Sequence, residues 1–221
     1  MPAGMRVNPT WAASIEKQLG EAREVLRGID PAQVAERSGA RVEATSGETR
    51  LELSFWGRTY TVAWPDVTAR DSEGGGCPLP TESALLQYLL LADGTPVENA
   101  WVSLRNLPHG AFYEQAFQGY SGVPLAKAYR RNLPGFRGAA ERLGGEPLDV
   151  GSASYRYWAF PRVPIAVVFW SGGDEFPDSA QVVFDSTAGH YQPVEMLAHL
   201  GAMLCERLIE ARSTNAGTHS S

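Results

Sequence analysis

Apolar residues near the start of the chain recur at helical spacing. Trp11, Ile15, Leu19, Ala22 and Leu26 fall three or four apart, which predicts a helix with one apolar face. A shorter helix is punctuated in "GIDPAQVAERSGA", where Asp30 suits an N-cap, Pro31 the first helical position, Gln33 a capping box and Gly39 a stop. From Arg41 the period changes to two. Leu51, Leu53 and Phe55 alternate with polar neighbours, and so do Tyr60, Val62 and Trp64 after Trp56-Gly57-Arg58, so a hairpin with one buried face is expected. The polar, glycine-rich stretch between Pro65 and Pro80 reads as a loop.

Thr81 then offers a cap to a helix carrying Leu85, Leu86, Leu89 and Leu90, which Gly94 ends. "AWVSL" (100 to 104) reads as a strand, and helical patterns follow at about 109–118, 122–131 and 134–143. "SYRYWAF" and "VPIAVVFW" are strands on composition. The second is apolar throughout, so both of its faces should be covered. "AQVVFD" is its hairpin partner, and Leu197, Leu200, Leu204 and Leu208 mark a last helix from Pro193 to about Arg212. These elements predict an α+β fold: a single domain over residues 1–212, with a largely antiparallel β-sheet covered by helices, and a disordered polar tail over 213–221.

Length and composition agree with that size of core, since 221 residues with 43% hydrophobic content can bury a substantial interior. Acids exceed bases by 25 to 19 and no extended basic stretch exists, which argues against nucleic-acid binding. The N-terminal residues hold no apolar run of signal-peptide length, and Ile165 to Trp170 is too short to cross a bilayer. A soluble, cytoplasmic protein is the expectation. Cys77 and Cys205 lie far apart, which excludes a zinc finger, an iron–sulfur cluster or a thioredoxin-type pair within this chain. No Gly-x-Ser-x-Gly elbow, His-Glu-x-x-His pair, Walker loop or Gly-x-Gly-x-x-Gly turn is present.

Candidate chemistry gathers around the strand "AQVVFD". Asp174 and Glu175 lie in the turn before it and Asp185 at its far end, about 20 Å away at roughly 3.3 Å per residue, so one metal cannot bridge them. The turn acids are either local backbone acceptors, or oxygen ligands for Mg²⁺ or Ca²⁺, or a docking surface for a basic partner. At the other end, Asp185 approaches Arg162, and the following turn brings His190, Glu195 and His199 near. Those residues are either an ion pair, a helix-capping acid and two solvent histidines, or a mixed nitrogen and oxygen metal set or acid–base group. Trp56, Trp64, Trp101, Trp158 and Trp170, with Tyr113, Tyr157 and Phe160, either fill the core or line a pocket for a planar or apolar ligand.

The stretch "WAFPRVPIAVVFWSGGDEFPDSAQVVFDSTAGHYQPVEMLAHLGAML", with "DPAQVAERSGA" and "LLQYLLLADG" upstream, resembles the prokaryotic family of domain of unknown function 3786. The resemblance rests on a Pro-x-x-Pro strand, a Gly-Asp-Glu-Phe-Pro loop, a Phe-Asp strand end and a Pro-x-Glu helix start, and it implies Asp185 and Glu195 as family features. Some members carry an appended four-cysteine iron–sulfur segment, which implies cofactor handling in one-carbon metabolism. This chain departs there, because its two distant cysteines cannot ligate such a cluster alone. The function expected is a non-catalytic module that binds a small ligand, a cofactor or a protein partner through Arg162, Asp174, Glu175, Asp185, Glu195, Tyr157 and Trp158. The alternative is a metal-dependent enzyme using Asp185, His190, Glu195 and His199. The residues specify neither a cofactor nor an oligomeric state.

Overall fold

The structure is a computed structural model that describes residues 9–45, 48–173 and 176–213. The chain folds as two units, one of Met1–Thr95 with His190–Gln192, the other of Pro96–Gly189 with Pro193–Ser221.

The first unit opens with α1 (Pro9–Arg27) and α2 (Pro31–Ser38). Asp30 caps α2 by accepting a hydrogen bond from the Ala32 amide, and Gly39 ends it in the left-handed conformation at φ 73°. Four strands then form an antiparallel meander: β1 (Arg41–Thr45), β2 (Glu48–Phe55), β3 (Arg58–Trp64) and β4 (Thr68–Asp71). Leu51 pairs with Val62 and Leu53 with Tyr60, so the predicted hairpin forms with its apolar face buried. The stretch read as a loop holds β4, whose Ala69 lies opposite Val62 and is buried. The helix α3 (Leu79–Leu91) has Pro78 at its cap position, before the expected Thr81 cap, because Pro80 already suits the first turn. It packs against α1, and Arg23 of α1 reaches Glu82 at 2.6 Å.

In the second unit the antiparallel sheet has the order β5 (Trp101–Ser103), β9 (Ser179–Asp185), β8 (Val163–Trp170), β7 (Ala153–Phe160) and β6 (Glu146–Leu148). The strands therefore divide between two sheets instead of forming the single one that the pattern suggested. Between β5 and β6 come two short 3₁₀ turns, then α4 (Glu114–Tyr120), α5 (Gly122–Ala128) and α6 (Leu133–Arg142); α7 (Val194–Ser213) closes the unit. One face of the sheet is buried by aromatic contacts to these helices. Phe136 of α6 stacks on Phe169 at 4.9 Å between ring centroids, and Phe117 of α4 meets Phe184 at 5.9 Å. On the other face Ala166, Val168 and Val183 form a second cluster with Trp101 and Leu148 packed against it. The strand β8 is accordingly buried from Val163 to Phe169, as its unbroken apolar run predicts.

Candidate functional site

Strand alternation places Trp101, Asp185, Pro164 and Trp158 on the second face of the β5–β9–β8–β7 sheet. Asp185 ends β9 and is fully buried. Its Oδ1 accepts hydrogen bonds from the Glu98 amide at 3.3 Å, the Thr187 amide at 3.1 Å and the Thr187 hydroxyl at 2.6 Å, while Oδ2 accepts none among the described residues. Arg162 is not among these partners, so the expected Asp185–Arg162 ion pair does not form. The carboxylate instead ties the turn after its own strand, at Thr187, to the segment before the neighbouring β5, at Glu98, a structural use of a buried acid.

His190 sits in the first unit, reached from far along the chain. Its Nδ1 lies 2.7 Å from Asp93 Oδ2 and 3.3 Å from the Thr95 hydroxyl. The Thr95 amide donates to Asp93 Oδ1 at 2.9 Å. Partial desolvation would raise the Asp93 pKa, but the Thr95 amide and hydroxyl and the His190 ring outweigh it and hold the carboxyl at about 2. The next two residues anchor the histidine. Tyr191 is buried, stacks on Tyr88 at 5.7 Å and donates its hydroxyl to the Thr95 carbonyl, and the Gln192 amide donates to the Ala84 carbonyl at 2.9 Å.

Glu195 lies in the first turn of α7, in the second unit, where it accepts a hydrogen bond from the Tyr113 hydroxyl at 2.7 Å. That bond, with the helix's own backbone amide and the nearby His109, lowers the Glu195 pKa, and the same bond raises that of Tyr113. The segment holding Tyr113 is tightly built. His109 takes a left-handed conformation at φ 62°, and at Gly110 a β-carbon would come within 1.7 Å of the Leu104 carbonyl oxygen, so only glycine fits. Glu114 accepts from the Arg105 amide at 3.0 Å and closes the loop. Within this pinned segment, Phe112 is 92% exposed.

The remaining candidates separate. Tyr157 is on the helix-covered face of its sheet and donates its hydroxyl to the Ala140 carbonyl, so it belongs to the core and no ligand can reach it without opening that face. Trp158, one residue on, is on the opposite face, where Arg156 lies 5.0 Å over its ring and Glu146 accepts from its indole nitrogen at 3.0 Å. His199 is exposed on α7, and the protein packed around it lowers its pKa. Asp174 and Glu175 lie outside the described residues. The structure thus brings His190 to Asp93 and Glu195 to Tyr113. Among the described residues no group of three or more His, Cys, Asp and Glu side chains could hold a metal ion.

Neither thiol is primed for nucleophilic chemistry. Burial, with Glu82 and Asp71 adding to it, pushes Cys77 up to about 11, and burial pushes Cys205 up to about 12. A recess of about 130 Å³ is lined by Arg137 and the 147–155 segment, smaller than the usual range for ligand pockets of roughly 300–1,000 Å³. A wider groove of about 350 Å³ runs over Arg142, Leu143, Arg207, Glu210 and Ala211. No tryptophan lines either of them.

Sequence reasoning missed Asp93, Tyr113 as the partner of Glu195, and Phe112. Phe112 had a local signal in the Pro-His-Gly turn before it, which predicts a tight loop with its tip in solvent. Asp93 had none, because its partner is 97 residues away.

Among the described residues no helix is long and apolar enough to cross a membrane. No curated protein and no solved structure matches the chain. The family model that does match, a domain of unknown function (DUF3786), covers residues 30–207, from the cap of α2 almost to the end of α7, and the chain belongs to that family.

Proposed function

We propose that the chain is a non-catalytic module that binds a protein partner through the Phe112 segment and the adjoining α4–α5 surface of its second unit. One observation carries this reading: Phe112 is 92% exposed on a segment whose backbone is fixed by Gly110, by the Glu114–Arg105 bond and by the Tyr113–Glu195 bond. A phenylalanine left in water gains nothing for the fold. Holding it in one place lowers the entropy lost on association, which is what a binding anchor needs. Tyr120 of α4 and Val123 of α5, 48% and 59% exposed, are further apolar side chains left in water in the same unit.

The test compares native co-purification of the wild-type chain and Phe112→Ser. A polypeptide retained in fixed stoichiometry by the first and lost from the second supports the reading. Equal retention by both removes it. A small molecule that quenches tryptophan fluorescence saturably in both proteins favours a ligand-binding module instead.

An enzyme is the second reading, favoured by the Asp93–His190 pair. Asp93 holds Nδ1, and Nε2 makes no hydrogen bond among the described residues, the arrangement a general base requires. In the metal-dependent form of this reading, Asp185 and Glu195 would supply oxygen ligands after rearrangement. Metal analysis of the natively purified protein tests it: a stoichiometric ion lost in Asp185→Ala supports the metal form, and a metal-free protein removes it.

A further inference from the structure

The histidines among the described residues are not alike. His109 and His199 are exposed and meet acids only through longer-range charge, from Glu195 and Glu206. His190 is held by a carboxylate, with its Nδ1 2.7 Å from Asp93 Oδ2, while the buried Tyr191 and Gln192 fix the backbone beside it. That hydrogen bond assigns the neutral ring's proton to Nδ1 and leaves a lone pair on Nε2. Both side chains of the pair are about half exposed, so a small electrophile can reach that nitrogen. A cation stands at the same turn. Arg37, exposed on the last turn of α2, passes its stem along Gly94, where a β-carbon would lie 3.7 Å from the Arg37 Cγ. Gly94, at φ 90°, separates Asp93 from Thr95, and all of these residues belong to the first unit.

An imidazole that attacks through Nε2 becomes cationic as the new bond forms, and an ionised carboxylate on Nδ1 stabilises that charge. An arginine at the edge of the turn suits an incoming phosphoryl group, whose oxygens it can bind as a pair. We infer that His190 is a phosphoryl-accepting nucleophile whose donor is a small acyl phosphate, an inference that rests on the second reading above for its oriented Nε2. In this step the Nε2–P bond forms, the P–O bond to the acyl group breaks, and the carboxylate leaves with the electron pair. Asp93 then faces the charged, phosphorylated ring.

The test incubates the full chain with acetyl phosphate and locates the products by mass spectrometry. An acid-labile, alkali-stable phosphate is expected on His190, formed at least about tenfold faster than on His109 or His199. Asp93→Asn should slow its formation about tenfold or more. Arg37→Gln should slow it about threefold, yet leave the reaction of His190 with uncharged diethylpyrocarbonate unchanged. The altered side chains are exposed, so an unchanged circular dichroism spectrum will show that each variant is folded. Absence of phosphate, an acetyl group in its place, or phosphate spread equally over the histidines overturns the inference. If His190 takes no phosphate but still outreacts the other histidines toward diethylpyrocarbonate, the phosphoryl group is wrong and the oriented base of the second reading stands. Equal reactivity of the histidines toward both reagents removes both.

Discussion

The two sheets of this protein treat their second faces in opposite ways. In the first unit, the face of β1 and β2 turned away from the apolar core carries ion pairs, with Arg41 on Glu52 at 2.6 Å and Arg50 on Glu48 at 2.8 Å. In the second unit, β8 is buried on both sides, and Trp101 and Leu148 pack on the face opposite the helices. A sheet with one wet face draws its stability from a single apolar layer. A sheet dry at its centre on both faces is held by two, and it makes a stiffer platform for the loops around it. The exposed aromatic Phe112 belongs to the unit with that stiffer sheet.

The largest expected effect sharpens this contrast. Phe136 is fully buried, stacks on Phe169 and meets Tyr129 and Tyr155 edge-on at 5.6 and 6.0 Å. Phe136→Ala should cost about 3–5 kcal/mol, because a cavity opens among rigid rings. Hydrogen exchange should then rise in β7 and β8 more than in β2 and β3. Equal loss of protection in all four strands would mean that the two sheets unfold as one cooperative body.

A smaller effect is expected at the dry face. Asp185→Ala removes the acceptor of three hydrogen bonds and leaves the Glu98 and Thr187 amides without a partner, a cost of about 1–3 kcal/mol in urea denaturation. Asp185→Ala and Arg162→Ala should be additive in a double-mutant cycle, since Arg162 makes no bond to Asp185. A coupling energy well above about 0.5 kcal/mol would restore the ion pair and overturn the structural role of the buried acid.

The two sheets also differ in how much of them is visible in the amino-acid order. Alternation in "LELSF" and "TYTVAW" reveals the first hairpin, since each apolar residue needs only its own strand's periodicity to find the core. The strand β4 escaped because four residues, "TARD", between a buried Val67 at φ 52° and a glycine run carry no period of their own. The separation into two sheets escaped for a different reason. β5 pairs with β9, far along the chain, and no local pattern encodes a partner at that distance. The α+β class and the β8–β9 hairpin were legible from composition. Which face of β7 the helices would cover was not, so Tyr157 and Trp158 looked alike as binding residues although one is core and the other at the surface. The Asp93–His190 pair is a contact of the same long-range kind.

The smallest predicted effect lies at that pair, and its sign follows from the depressed carboxyl. Asp93 titrates near 3.8 in an unfolded chain and at about 2 here, so its hydrogen bonds stabilise the fold above the unfolded value. That contribution should fade as pH falls from about 4 through 2, and be absent below both values. Both side chains are about half exposed, so screening by water holds the contribution under about 1 kcal/mol. Asp93→Asn should therefore be slightly less stable than wild type at pH 6, with the difference closing as acid is added. The comparison is made by urea denaturation at successive pH values, and a gap that widens toward low pH would reverse the sign. The anchoring of Tyr191 against Tyr88 and Thr95 does not depend on this charge, so the segment should stay docked in the variant. If the Asn variant instead released the 190–192 segment, seen as new exchange at Tyr191 and Gln192, the acid would be holding that segment in place, with orientation of the histidine a secondary effect.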